Sequence, residues 1–129
     1  MTRILLIEPD HVLSEIYARA LLQHRKASVR QVQSAQQAIA AADTKAPDLI
    51  ILELQLVEHS GIEFLYELRS YPEWQAIPVI IQSLVPFGEF RDNWDLLHDE
   101  LGVVQYLYKP HTSLQKLLAT VNELSPITA

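Results

Sequence analysis

What most constrains the fold of this chain is an alternation repeated five times: a short apolar run, then an apolar pattern of helical period. Ile4-Leu5-Leu6-Ile7 reads as a buried strand. Leu13, Ile16, Tyr17, Ala20 and Leu21 then recur at helical spacing behind Asp10, a residue suited to the N-cap. A short strand over 29–32 precedes Ser34-Ala35-Gln36-Gln37, which has the form of a capping box and opens a small helix with Ala35, Ala38, Ile39 and Ala42 inward. Pro47 and Asp48 punctuate the entry to a third strand over 49–52. Ser60-Gly61-Ile62-Glu63 then opens a helix with Ile62, Leu65 and Leu68 on one face. A fourth strand covers 78–82, and the steps between Phe90, Trp94, Leu97 and Leu101 predict a helix over 88–100. A fifth strand covers 103–107. Thr112 or Ser113 caps a last helix with Leu114, Leu117, Leu118, Val121 and Leu124 inward.

Strands that are apolar on both faces and alternate with helices imply a parallel sheet covered on both sides, with right-handed crossovers. The chain has 129 residues, enough for one core. No linker or repeat divides it, so a single domain over 1–125 with a short tail over 126–129 is expected.

Composition narrows the function. The net charge of -6 argues against direct nucleic-acid binding. The absence of cysteine excludes disulfides, thiol catalysis and thiolate zinc sites. No apolar run approaches the roughly 20 residues that span a bilayer. Met1-Thr2-Arg3-Ile4 meets an acid at Glu8 and does not read as a signal peptide. A cytoplasmic protein without membrane contact is expected. His11, His24, His59, His98 and His111 are dispersed and suggest no metal site.

In an open parallel sheet, ligands sit beyond the carboxyl ends of the strands. The first strand ends there in Glu8-Pro9-Asp10, the third in Glu53, the fourth in Gln82-Ser83 and the fifth in Tyr106-Leu107-Tyr108-Lys109-Pro110. Acids, one hydroxyl and one lysine are thereby expected to converge.

Five segments in this order, ILLIE (4–8), PDLIILE (47–53), GIEFLYELR (61–69), IPVIIQS (77–83) and YLYKP (106–110), resemble the receiver domain of two-component response regulators. The resemblance covers nearly the whole chain, from Ile4 to about Leu124. It implies a doubly wound, flavodoxin-like α/β fold, with a five-stranded sheet in the order 2-1-3-4-5. Receivers carry a phosphate-accepting aspartate after the third strand and two acids after the first that hold magnesium. A hydroxyl after the fourth strand and a lysine before a cis proline contact the phosphoryl group. Carried over, Glu8 matches the first acid, Ser83 the hydroxyl, Lys109 the lysine and Pro110 the proline. Tyr106 matches an aromatic that moves with the hydroxyl. The fourth helix, fifth strand and fifth helix, here about 88–124, often form the partner surface, which makes Phe90, Trp94 and Tyr106 candidates for it. Core packing is the competing reading of all three aromatics.

Two departures bear on function. Glu53 stands where the phosphoacceptor aspartate is expected, and Pro9 replaces the second metal acid. Proline offers no side-chain oxygen, whereas magnesium needs near-octahedral oxygen ligands. The loop beyond Glu53 carries Val57 and Glu58 in place of the usual proline and glycine, and the interval from Ser83 to Lys109 is longer than usual. The leading expectation is a pseudo-receiver: not an enzyme, without a cofactor, and with magnesium binding weak or absent. Its expected partners are a histidine kinase, a downstream effector or a second copy of the chain. The alternatives are a phosphoacceptor that uses another acid such as Asp10, and a small-ligand binder in the strand-end crevice. Asp10 reads as a helix cap or a metal ligand. Ser83 reads as a backbone-bonded hydroxyl or part of a switch.

Overall fold

A computed structural model describes residues 2–24 and 26–124. Five strands, β1 (Thr2–Ile7), β2 (Ala27–Val32), β3 (Leu49–Leu52), β4 (Val79–Ser83) and β5 (Val103–Tyr108), form one sheet in the order β2-β1-β3-β4-β5. Every pairing is parallel, as apolar runs buried on both faces require. The helices are α1 (His11–His24), α2 (Ala35–Thr44), α3 (Gly61–Arg69) and α4 (Leu114–Leu124). The doubly wound architecture and strand order agree with the sequence reading. The expected tail over 126–129 lies outside the described residues. Among those residues no helix is long and apolar enough to cross a membrane.

The sheet separates two cores. On one face Ile4, Leu6, Leu49, Ile51 and Ile80 pack against α1 and α4 through Tyr17, Leu21, Leu117 and Val121. On the other, Leu5, Ile7, Ile50, Leu52 and Ile81 meet α2 and α3 through Ala38, Ala42, Phe64 and Leu68. Three caps fall where the sequence places them. Asp10 Oδ1 accepts from the amides of Val12 and Leu13 at the start of α1. The Ser34 hydroxyl accepts from Gln37 N, and that of Ser60 from Glu63 N. The choice left open at α4 resolves to Ser113, whose hydroxyl accepts from Lys116 N.

Two helices keep most of their expected inward residues, with one member of each set exposed. The buried stripe of α1 includes Ser14, Tyr17, Ala18 and Leu21, which leaves Ile16 42% exposed. That stripe follows a regular three-and-four spacing, and Ser14 joins it because its hydroxyl donates to Gln31 Oε1. In α4 the buried face is Leu117, Thr120 and Val121, so Leu114 is 40% exposed.

The helix expected over 88–100 is also different in kind. The chain runs as a 3-10 segment Phe87–Asn93 and then as a wider turn Leu96–Glu100, closed by Leu101 N donating to Leu96 O. Pro86 leads in, and Gly88, Asp92, Asn93 and Asp95 are poor interior helix residues, so a regular ladder is not favoured. The apolar spacing still does its packing: Leu97 and Leu101 are buried, and Phe90 and Trp94 pack against the core.

Arg69 ties this side together. Its guanidinium donates to the carbonyls of Leu101 at 2.9 Å, Trp74 at 2.6 Å and Ile77 at 2.6 Å, which joins α3 to the turns that enter β4 and β5. Burial lowers its pKa from the ordinary arginine value.

Candidate functional site

The chain winds outward in both directions from β1 and β3, and the site lies beyond their carboxyl ends. Ile7 and Leu52 are partners in register, so the next residues, Glu8 and Glu53, emerge side by side. Their backbones are fixed by the sheet: Glu8 N donates to Val32 O and Glu53 N to Ile7 O, both at 3.0 Å. β4 delivers Ser83, and the turn after β5 delivers Lys109. Gly61 lets the loop after β3 close tightly, since a β-carbon there would sit 2.8 Å from Leu54 Cα.

The four side chains form one buried network. Lys109 Nζ lies 2.6 Å from Glu53 Oε1 and 2.5 Å from Glu8 Oε1, and all three side chains are almost fully withdrawn from water. Glu53 Oε1 also accepts from the amide of Leu84 at 3.2 Å, while Oε2 accepts from the Ser83 hydroxyl and from the amide of Gln55 at 3.1 Å. The carboxylate is thus held by a cation, a hydroxyl and two backbone amides. Ser83 Oγ in turn accepts from Val85 N at 3.0 Å, which is the backbone bond of one of the two readings of its hydroxyl. Burial opposes the charge of Lys109, but the hydrogen bonds and charges of Glu53 and Glu8 outweigh it and hold the ammonium above the usual lysine range.

Tyr106 is turned toward the same end of the sheet. Its hydroxyl donates to Val85 O at 2.6 Å, in the loop that leaves Ser83. Phe87 and Phe90 cover its ring at centroid distances of 5.3 and 6.0 Å, and Phe87 meets Trp94 at 5.5 Å. Burial, then the charges of Glu53 and Glu89, push the Tyr106 phenol well above its ordinary range. Phe90, Trp94 and Tyr106 are each half-buried, so they pack against the core and also reach the surface.

The structure corrects the call at Pro110. Among the described residues no peptide bond is cis, so the Lys109–Pro110 bond is trans. Pro110 sits in the first turn of a short 3-10 segment Lys109–His111, where its fixed φ fits and its missing amide proton is not needed. Lys109 reaches both carboxylates from this turn.

The residues around Glu8 do not fit a magnesium ion. Glu8 and Glu53 each commit an oxygen to Lys109, whose ammonium already holds the position between the two acids. The other Glu8 oxygen accepts from Asp10 N at 3.1 Å. Pro9 has no side-chain oxygen to offer, and the Asp10 carboxylate caps α1. Among the described residues no three His, Cys, Asp or Glu side chains are grouped to hold a metal ion.

Sequence reasoning missed several parts of the site. The amides of Gln55 and Leu84 and the carbonyl of Val85 carry no side-chain signal. Tyr17, read as core, also lies near the cluster. Burial raises its pKa, Lys109 opposes the rise, and Glu8, Glu53 and Asp10 reinforce it. Phe87 completes the aromatic group but falls outside the spacing that picked out Phe90 and Trp94.

Comparison with known proteins agrees with this fold. Residues 4–122 match the family model described as the response regulator receiver domain. The KDP operon transcriptional regulatory protein KdpE of Escherichia coli is 32% identical over 110 residues, 85% of this chain and 45% of that protein. The chain therefore spans less than half the length of this relative. Among solved structures, a sensor protein from Polaromonas sp. JS666 superposes with a TM-score of 0.82 at 20% identity, covering 95% of this chain and 94% of the other. The chemotaxis response regulator CheY4 of Vibrio cholerae gives 0.82 at 19% identity, covering 96% and 98%. These structural likenesses concern the fold.

Proposed function

The chain belongs to the response regulator receiver family of two-component signalling, and from that premise we propose that it is a pseudo-receiver, whose Glu53 holds one signalling arrangement without a phosphoryl group. One observation carries the reading. The Glu53 carboxylate is engaged by Lys109, Ser83 and the amides of Leu84 and Gln55, while the Tyr106 hydroxyl is held by Val85 O. In the family resemblance Lys109 and Ser83 are the groups that would meet a phosphoryl group, and Tyr106 is the aromatic that moves with the hydroxyl. Here a side-chain carboxylate already occupies Lys109 and Ser83, while Tyr106 is held by the neighbouring Val85 carbonyl.

The extra methylene of glutamate supports this reading. It carries the carboxylate away from the backbone to the donors that a phosphoryl group on the shorter aspartate would reach. The substitute is incomplete in charge, since a phosphoryl group brings about two negative charges and Glu53 one. Phosphoryl transfer relies on positioning and on metal neutralisation. Glu53 has its oxygens committed, and Pro9 removes a metal ligand. The domain is accordingly an interaction module, not an enzyme, and it works without magnesium. Its partner is a signalling protein, a histidine kinase or an effector, that reads the surface around Phe90, Trp94 and Tyr106.

Incubation with a small phosphodonor and magnesium, followed by intact mass and peptide mapping, tests the reading. The expected result is no adduct. A stable phosphoryl group on Glu53 would overturn the proposal, and one on Asp10 would replace it with a phosphoacceptor that uses that acid.

A further inference from the structure

At the opposite end of the sheet from Lys109, and independently of the reading above, the geometry points to a second binding site, one for a small organic anion. α2 has 10 residues and leaves the amino-terminal ends of β1 and β2 incompletely covered on its side of the sheet. A cleft of about 100 Å³ remains there, lined by Arg3, Leu5, Arg30, Ala41, Lys45 and Pro47 among others. Arg3 pairs with Ser28 and Leu5 with Arg30 across adjacent strands, so by strand alternation both arginines stand on the α2 face, flanking Leu5.

Three cations therefore rim one cleft in a chain whose net charge is -6. Among the described residues none of the three side chains joins an ion pair. Arg3 stands opposite Ser28 and Arg30 opposite Leu5, so the two arginines are diagonal neighbours within reach of one another on one face. The opposing charges nearby are few. Asp48 Oδ2 accepts from the Arg3 amide at 2.8 Å, and the carboxyl end of α2 contributes about half a negative charge. Asp43 lines the separate groove between α2 and α3. The cleft is left with a surplus of positive charge.

The ligand class follows from floor and rim together. Leu5, Ala41 and Pro47 form an apolar floor that a bare inorganic anion would not use. An apolar cavity of about 150 Å³ admits benzene, so this one suits a compact branched group of about four carbons. Guanidinium groups present forked donors that match a carboxylate or a phosphate. The site fits a carboxylate or a phosphate monoester carried on such a group.

The test is an amide-shift titration of the full chain at constant ionic strength with isovalerate, isobutyl phosphate and inorganic phosphate. Saturable shifts confined to residues 3–5, 28–30 and 41–47 with either organic anion are expected, with the amides of Glu8, Ser83 and Lys109 unmoved. Whichever organic anion binds identifies the head group. Arg30 is exposed, so Arg30→Gln leaves the fold intact and should weaken binding by about tenfold or more, the loss of a charge-assisted hydrogen bond. Ala41→Leu, which fills the cleft, should abolish it. Shifts that do not saturate, that are matched by inorganic phosphate, or that survive Arg30→Gln would overturn the proposal.

Discussion

Lys109 Nζ and Glu53 Oε1 meet at 2.6 Å, with side chains that are 6% and 3% exposed. At that depth the pair is held together less by its own attraction than by the cost of separating it. Glu8, at 2.5 Å from the same nitrogen, makes Lys109 the single cation shared by two buried acids. The energetics of the domain should centre on this nitrogen.

Lys109→Met removes the cation and strands two carboxylates. Breaking a buried pair from one side costs about 3–5 kcal/mol. Urea unfolding should move to a markedly lower midpoint. A change under about 1 kcal/mol, the range of an exposed surface pair, would contradict the buried geometry.

Glu53→Gln keeps the shape but turns one acceptor into a donor. Lys109, Ser83, Gln55 N and Leu84 N all donate to Glu53, so an amide nitrogen must face a donor. A loss of about 1–3 kcal/mol is expected. If the network sets the signalling state, affinity for the partner should change as well. Altered stability with unaltered partner binding would reduce the pair to a structural role.

The alkaline limb of stability should report Lys109 and Tyr106 together. Both pKa values are raised in the folded protein, so both contributions are complete below the ordinary values of 10.5 and 10.0. They are lost as pH rises through the folded values, because the unfolded chain gives up its protons first. Tyr106→Phe costs about 1 kcal/mol at neutral pH through the lost bond to Val85 O. It should also flatten the decline above pH 10.0, by up to about 1.4 kcal/mol per pH unit. An unchanged slope would place the phenol outside the network.

Magnesium titration, followed by amide shifts near Glu8, should give no saturable binding at sub-millimolar concentration. Pro9→Asp combined with Glu53→Asp supplies a ligand and shortens the competing side chain, and it should recover some binding. Tight binding by the unmodified chain would contradict the fit argument.

The strands and their order were legible because apolar runs buried on both faces leave little choice of architecture, and the resemblance fixed the winding. Glu8, Glu53, Ser83 and Lys109 were legible because each stands at the carboxyl end of a strand. What escaped depends on packing between elements. Ile16 and Leu114 carry the right period, but each falls at the edge of its helix's buried stripe, which Ser14 and Thr120 join instead. The segment 87–100 keeps its apolar spacing while its hydrogen bonds follow local Gly, Asp and Asn content. The trans bond at Pro110 depends on how a whole turn docks. The cleft beside Arg3 depends on where α2 stops relative to two strands.

The irregular segment between β4 and β5 has a consequence for how the domain opens. A run of 3-10 and wider turns lacks the regular ladder that makes a helix cooperative, so its amides can exchange with solvent through small local excursions. Phe87 and Phe90 cover Tyr106 from this segment through ring contacts. The cover can lift while the sheet and the Glu53 cluster stay closed. Deuterium should therefore enter residues 87–100 long before it enters β3 or β4. A partner that captures the lifted segment would need to spend only that local opening energy, not the energy of unfolding the domain.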